Sequence, residues 1–159
     1  MTLPASAAVD RSAPETVHFL GNLLTFRARA AATGGSFSMT ECLTAPGAGS
    51  PPHVQADEEG FLVLDGTFEI VLDGVSRLLG AGDFAFVPAG TPHAFRNPGD
   101  APARMLIVNL PGGAHENFFL AVGEPADAAA GFPPMGAPDV PRLVAEAARF
   151  GIDILPPAA

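Results

Sequence analysis

The sequence lacks lysine, tryptophan and tyrosine, and it has a single cysteine, Cys42. Without lysine there is no anchor for a Schiff base or for pyridoxal phosphate, and without tyrosine there is no phenolic acid or radical. One thiol cannot form an intrachain disulfide or a thiolate metal cage. All eight basic residues are arginine and the net charge is -9 at pH 7, which disfavours binding to nucleic acid or to an anionic membrane. Chemistry must therefore come from histidine, carboxylates, amides and arginine.

Long apolar runs are also missing. No stretch approaches the ~20 apolar residues that a membrane span requires, and residues 1–14 contain no apolar segment of signal-peptide length. We therefore expect a cytoplasmic protein. A chain of 159 residues that is 48% hydrophobic is expected to form one domain around a single core.

The spacing of glycine, proline and aspartate predicts an all-β protein with a short helical tail. Residues 1–15 are rich in alanine, serine and proline and predict a flexible N-terminal arm, followed by a single domain over 16–159. Helical spacing appears only near the end, at 115–122 and 141–150, where Pro141 suits a first turn and Gly151 a C-cap. The predicted strands are 22–29, 36–44, 60–64, 67–72, 75–79, 83–87, 93–97 and 104–110.

Two Asp-Gly pairs predict two hairpins with type I′ turns, one at 65–66 and one at 73–74. Between them, Phe68, Ile70 and Leu72 alternate with more polar neighbours, so one face of this strand is expected to point into a core. The two turns would join three consecutive antiparallel strands.

Residues suited to metal binding lie close together in the middle of the chain. On an extended strand, His53 and Gln55 would leave the same face about 6.6 Å apart, at ~3.3 Å per residue. Glu59 follows four residues later, and His93 lies near the entrance of a later strand. Imidazole nitrogen with amide and carboxylate oxygen is a ligand set for one divalent transition metal such as Fe, Mn, Co, Ni, Cu or Zn.

These residues also carry a resemblance to a known family. Gly47, His53, Gln55, Glu59 and Gly66 resemble the first motif of the cupin superfamily, G(X)5HXH(X)3-4E(X)6G. The second cupin motif, G(X)5PXG(X)2H(X)3N, is matched at every specified position, by Gly82, Pro88, Gly90, His93 and Asn97.

The wider chain resembles small bacterial single-domain cupins described as quercetin 2,3-dioxygenase-like. This resemblance implies a double-stranded β-helix, that is a jelly-roll barrel, with its motif core at 47–97, a C-terminal helical extension over 115–159 and one metal inside the barrel mouth. It also implies a homodimer, in which residues 16–29 would pair with the partner's sheet edge. Gln55 departs from the motif, which has a second histidine there, and an amide oxygen is a weaker donor than imidazole.

Other polar residues have simpler interpretations. His18 and His115 lie outside both motifs and are expected to be surface or hydrogen-bonded residues, and Asp57 and Glu58 predict a solvated acidic loop. Cys42 lies inside a predicted strand and is expected in the core.

Alternation along the strands predicts the pocket wall. If Glu59 and His93 point inward, Phe61 and Phe95 do so too, which would surround the polar site with aromatic side chains. Such a cavity suits a small aromatic or enolisable molecule.

Three functions are compatible with this sequence. One is a quercetinase-like dioxygenase, in which Glu59 is both ligand and proton acceptor. Another is a metal-dependent isomerase, epimerase or decarboxylase, to which Gln55 lends some support because a weaker, redox-indifferent ligand set is adequate for Lewis-acid chemistry. The third is a non-enzymatic small-molecule-binding cupin whose metal site is weakened by Gln55. A family resemblance of this kind predicts the architecture more strongly than the reaction, because one fold can host many unrelated activities.

Overall fold

A computed structural model describes residues 13–157 as two antiparallel sheets and two α-helices. The strands are β1 Thr16–Phe19, β2 Asn22–Ala28, β3 Ser38–Thr44, β4 His53–Gln55, β5 Glu58–Asp65, β6 Thr67–Leu72, β7 Val75–Gly80, β8 Phe84–Val87, β9 His93–Arg96, β10 Ala103–Leu110, β11 Glu124–Pro125 and β12 Ile152–Ile154. The helices are α1 Ala114–Val122 and α2 Val140–Arg149. The predicted N-terminal arm lies almost wholly outside the described residues.

The two sheets form the jelly roll that the motifs imply. One sheet has the strand order β11-β1-β2-β3-β10-β5-β8, and the other has the order β12-β4-β9-β6-β7. Side chains alternate along each strand, so that Phe68 and Ile70 on β6 and Met105 and Ile107 on β10 are buried between the sheets. The predicted strands are confirmed with ends shifted by one or two residues. Within residues 13–157, no helix is long and apolar enough to cross a membrane.

Only one of the two predicted hairpins is correct. Asp73 and Gly74 both have positive φ, and β6 and β7 pair as a hairpin across them. The turn at Gly66 does not make a hairpin, because β5 and β6 belong to different sheets. Gly66 has φ +75°, and a Cβ there would lie 2.8 Å from the Cβ of Ala103. This turn therefore carries the chain from one sheet to the other, a choice that depends on distant strands rather than on the turn residues.

The N-terminal strands pair within their own chain. β2 lies between β1 and β3, so both of its edges are already hydrogen-bonded. β1 in turn pairs with β2 on one side and with the short β11 on the other. β2 therefore has no free edge with which it could pair with a partner's sheet, as was expected for residues 16–29. The homodimer itself stays a prediction.

The C-terminal tail is both helical and extended. α1 and α2 lie within one residue of the predicted helical segments, and the Asp139 side chain caps α2 by accepting from the backbone N–H of Arg142. Gly151 follows α2 with φ +73°, as a residue after a helix C-cap often does. The chain then forms β12, which pairs antiparallel with β4. This strand was not predicted, and it lies beside the strand of His53 and Gln55.

Candidate metal centre

Three strands bring the motif residues together. His53 on β4 and His93 on β9 face each other directly in the register of one sheet. Glu59 lies on β5 in the other sheet and approaches from the opposite wall. All three side chains are buried. The closing of the barrel thus brings the short strand β4, the strand β5 of the opposite sheet and the distant strand β9 to one place.

The three residues are close enough to share one ion. One donor atom from each of His53, Glu59 and His93 lies within 4.8 Å of the others. Glu59 Oε2 is 2.8 Å from His93 Nε2, and the two imidazole rings have centroids 4.2 Å apart.

Backbone carbonyls fix the orientation of both imidazoles. His53 Nδ1 donates to the carbonyl of Pro51 at 2.9 Å, and His93 Nδ1 donates to the carbonyl of Thr91 at 2.8 Å. A carbonyl oxygen only accepts, so each Nδ1 carries a proton and each Nε2 is left to face the cluster. At His93, an ion bound to Nε2 would replace the hydrogen bond with Glu59 Oε2. Metal-binding histidines are commonly held in this way.

Gln55 supplies the most direct evidence that a cation fits. Its side chain is buried, and its Nε2 donates to the Asp57 carbonyl at 3.4 Å. Its Oε1 is enclosed and has no hydrogen-bond partner among the described residues. An unsatisfied buried acceptor costs about 1–3 kcal/mol, a cost that a cation ligated by this oxygen would relieve. The clustered donors of His53, Glu59 and His93, with an unpaired amide oxygen two residues along β4 from His53, therefore suit a divalent transition metal.

Electrostatics keep two of these residues in the forms that bind metals. Burial opposes ionisation of Glu59, but the hydrogen bond with His93 and the nearby histidines lower the pKa of its carboxyl to about 2. Burial, aided by repulsion from His93, lowers the pKa of His53 to about 4. Near neutral pH, Glu59 is therefore a carboxylate and His53 is a neutral imidazole.

A second polar cluster adjoins the first, and sequence reasoning missed it. His115 on α1 is buried, and its Nδ1 lies 3.1 Å from Asp57 Oδ2. Burial alone would lower the pKa of His115, but the hydrogen bond with Asp57 and the Glu59 carboxylate raise it. The predicted solvated loop is wrong for Asp57, which is buried. Glu58 is exposed, as predicted, but it is the first residue of β5 and not part of a loop.

The sequence did contain a signal for the position of His115. His115, Phe118 and Phe119 have the spacing i, i+3 and i+4, which defines one face of a helix. All three are buried against the barrel. The prediction that His115 is hydrogen-bonded is confirmed, but the alternative of a surface location is not. His18, the other histidine outside the motifs, is buried with an unpaired Nε2 among the described residues.

An apolar cavity lies against both clusters. Its volume is about 50 Å³, and its lining includes Phe61 and Phe95, as predicted. His53, Glu59 and His115 contribute its ionisable groups. The remaining lining is mostly apolar and comes partly from the tail: Phe19, Asn22, Leu24, Gly49, Ser50, Pro51, Ile107, Phe118, Phe119, Ile152 and Ile154.

The predicted core position of Cys42 is confirmed, since its side chain is fully buried. Burial raises the pKa of this thiol to about 12, so it is not a thiolate near neutral pH. Cys42 also does not belong to the cluster of His53, Glu59 and His93, whose donor atoms lie within 4.8 Å of one another.

Comparison with known proteins agrees with the motifs. Residues 40–109 match the family model described as a cupin domain. Over 117 residues, 73% of this chain, the sequence is 36% identical to quercetin 2,3-dioxygenase of Bacillus subtilis. This alignment covers 34% of that protein, so the chain spans about a third of the length of this relative.

Solved structures with a similar fold include the following two. One is a sugar phosphate isomerase of the cupin superfamily from Silicibacter pomeroyi, with a TM-score of 0.51, 30% identity and coverage of 57% of this chain and 59% of that one. The other is a recombinant oxalate oxidase in complex with glycolate, with a TM-score of 0.51, 27% identity and coverage of 58% and 54%. The neighbours thus include both an isomerase and an oxidase.

Proposed function

Since this chain belongs to the cupin superfamily, we propose that it is a mononuclear-metal cupin and acts as a quercetinase-like dioxygenase on a small aromatic or enolisable compound. The observation that carries the proposal is the buried cluster of His53, Glu59 and His93, of which His53 and Glu59 line a largely aromatic and aliphatic cavity. The similarity to quercetin 2,3-dioxygenase supports the choice of reaction.

Four side chains would hold the ion. His53 and His93 offer Nε2, Glu59 offers a carboxylate oxygen, and Gln55 offers Oε1. A divalent transition metal bound there would supply a Lewis acid that binds and polarises a substrate oxygen. The protein's contribution is the surrounding structure, in which backbone carbonyls orient the imidazoles and phenylalanine rings exclude water.

Glu59 is better suited to binding an ion than to accepting a proton. Because its pKa is about 2, Glu59 is ionised near neutral pH and is a weak base. If Glu59 accepts a proton from the substrate, the substrate hydroxyl must itself be strongly acidified in the site. The predicted role of Glu59 as proton acceptor therefore depends on an enol or phenol rather than on an ordinary alcohol.

The size of the cavity limits the substrate. An apolar cavity of about 150 Å³ admits benzene, whereas this one has about 50 Å³. A flavonol would therefore fit only after side chains of the lining, which include Phe118 and Phe119 of the tail, move outward. Small enolisable ketones need much less displacement, so we place them ahead of flavonols.

Metal analysis combined with oxygen uptake tests the proposal. Protein purified without chelators is expected to contain about one equivalent of a transition metal and to consume oxygen with a small diketone such as acetylacetone. The panel should extend to quercetin, with Glu59→Gln as the disabled variant and His18→Gln as the control outside the cluster. A full metal equivalent with no oxygen uptake across the panel would contradict the dioxygenase.

A metal-dependent isomerase, epimerase or decarboxylase is the second candidate. It is favoured by the neutral Gln55 ligand, by the small cavity and by the similarity to a sugar phosphate isomerase. Anaerobic turnover of a hydroxy or keto compound would support it over the dioxygenase. Less than about a tenth of a metal equivalent, unchanged by Gln55→His, would instead favour a non-enzymatic binding protein.

A further inference from the structure

His115 is the cavity histidine to which the proposed metal site assigns no role. It comes from α1 in the C-terminal extension, outside both cupin motifs. Its ring centroid lies 6.1 Å from that of His53 and 5.7 Å from that of Phe119, so it lies between the ion cluster and the aromatic wall. It is not one of the three residues whose donor atoms lie within 4.8 Å of one another.

Asn109 determines which nitrogen of His115 carries the proton. Asn109 Nδ2 lies 2.9 Å from Asp57 Oδ2, 3.2 Å from Glu59 Oε1 and 3.3 Å from His115 Nδ1. An amide nitrogen has two hydrogens, and the two carboxylates take both. His115 Nδ1 therefore receives no hydrogen from Asn109 and instead donates its own to Asp57 at 3.1 Å.

This arrangement leaves His115 Nε2 for the cavity. Nε2 has no hydrogen-bond partner among the described residues, and it is not one of their two fully enclosed unpaired atoms, which are His18 Nε2 and Gln55 Oε1. His115 also lines the cavity. Nε2 is therefore the nitrogen of His115 that is free to serve the cavity, whose wall is otherwise largely apolar.

We propose that His115 Nε2 is the hydrogen-bonding contact for one oxygen of the substrate, while a neighbouring oxygen of the same molecule meets the ion cluster. The site would then select compounds with two adjacent oxygens, such as α-hydroxyketones and their enols, over compounds with a single oxygen. Asp57 acts through His115 as a positioning residue. This inference rests on the proposed metal site but not on the dioxygenase reaction.

The test uses anaerobic protein loaded with Zn(II) and measures binding of acetohydroxamate by calorimetry. Acetohydroxamate is compact and has two adjacent oxygens, and the redox-inert zinc separates binding from oxygen chemistry. His115→Asn keeps a nitrogen near the Nδ1 position for Asp57 but removes the cavity nitrogen, whereas His115→Gln brings an amide near the Nε2 position. His18→Gln is the matched control, a buried histidine that does not line this cavity.

We expect His115→Asn to weaken acetohydroxamate binding about three- to tenfold, the usual range for one hydrogen bond. Zinc content should stay at one equivalent, His115→Gln should recover most of the affinity, and His18→Gln should match the wild type. The proposal is overturned if His115→Asn and wild type bind equally, or if wild type does not bind. Loss of zinc in both His115 variants would also overturn it, since His115 would then support the ion. Absence of oxygen uptake, by contrast, would affect only the dioxygenase proposal.

Discussion

The motif core at 47–97 and the tail from 111 to 157 contribute to the same cavity by different routes. The core supplies His53, Glu59 and His93 from strands whose spacing is readable in the sequence. The tail supplies His115, Phe118 and Phe119 from a helix, together with the edge strand β12. Under the two proposals made above, the core would hold the ion, and the tail would enclose the ligand and contact it through His115.

The largest effect is expected from removing a core ligand. His93→Ala should reduce bound metal from about one equivalent to below a tenth while the barrel stays folded, because one of two imidazole donors is lost. Metal analysis and circular dichroism measure the two outcomes. Retention of a full equivalent of metal would show that His93 is not a ligand of the ion.

Shortening a tail side chain should affect stability more than metal content. Phe118 is 5% exposed and packs edge-on against Phe19, so Phe118→Ala should lower the free energy of unfolding by about 3 kcal/mol, the lower end of the usual range. Phe84, which is 62% exposed, is the matched control. Phe84→Ala should change the free energy of unfolding by less than about 0.5 kcal/mol. Denaturant titration measures both. Loss of metal from folded Phe118→Ala protein would show that the tail, and not the core alone, is needed to hold the ion.

Gln55 gives an effect of intermediate size within the core. Gln55→Leu should weaken metal binding about tenfold, or about 1.4 kcal/mol, while Gln55→His should strengthen it by a similar factor. In metal-free protein, Gln55→Leu should change the free energy of unfolding little, because removal of an unsatisfied buried oxygen offsets loss of the long 3.4 Å hydrogen bond from Gln55 Nε2 to the Asp57 carbonyl. Competition with a chromophoric chelator gives the affinities. Equal affinities in all three proteins would exclude Gln55 from the ligand set.

The smallest effect concerns Cys42, a core residue without a role in either cluster. Its pKa of about 12 predicts negligible alkylation of native protein by iodoacetamide at pH 8 and rapid alkylation after unfolding. Burial favours the neutral thiol, so stability contributed at lower pH should be lost as pH rises from 9, the ordinary pKa, toward 12. Mass spectrometry reports the alkylation. Fast modification of the native protein would show that the inner face of β3 opens readily.

The sequence predicted the core well because each signal there is local. The spacing of His53, Gln55 and Glu59 and the turn glycines need only neighbouring residues to be interpreted. Prediction from the sequence failed where a residue's packing or hydrogen-bond partners are distant along the chain. The Asp-Gly pair at 65–66 looks like a hairpin turn, yet Gly66 joins two sheets because Ala103 and the strands around it are packed there. Asp57 looked solvated because Asn109 and His115, its partners, lie more than fifty residues away.

The sequence by itself therefore determined the strand-rich fold, the two motifs and the residue types that can hold an ion. Only the tertiary structure decided that Glu59 approaches from the sheet opposite His53 and His93, and that α1 places His115 beside them. The physical reason is the range of the interactions. Turn conformation and side-chain alternation are set within a few residues, whereas burial, tautomer and pKa depend on groups that meet only when the barrel closes and the tail packs across it.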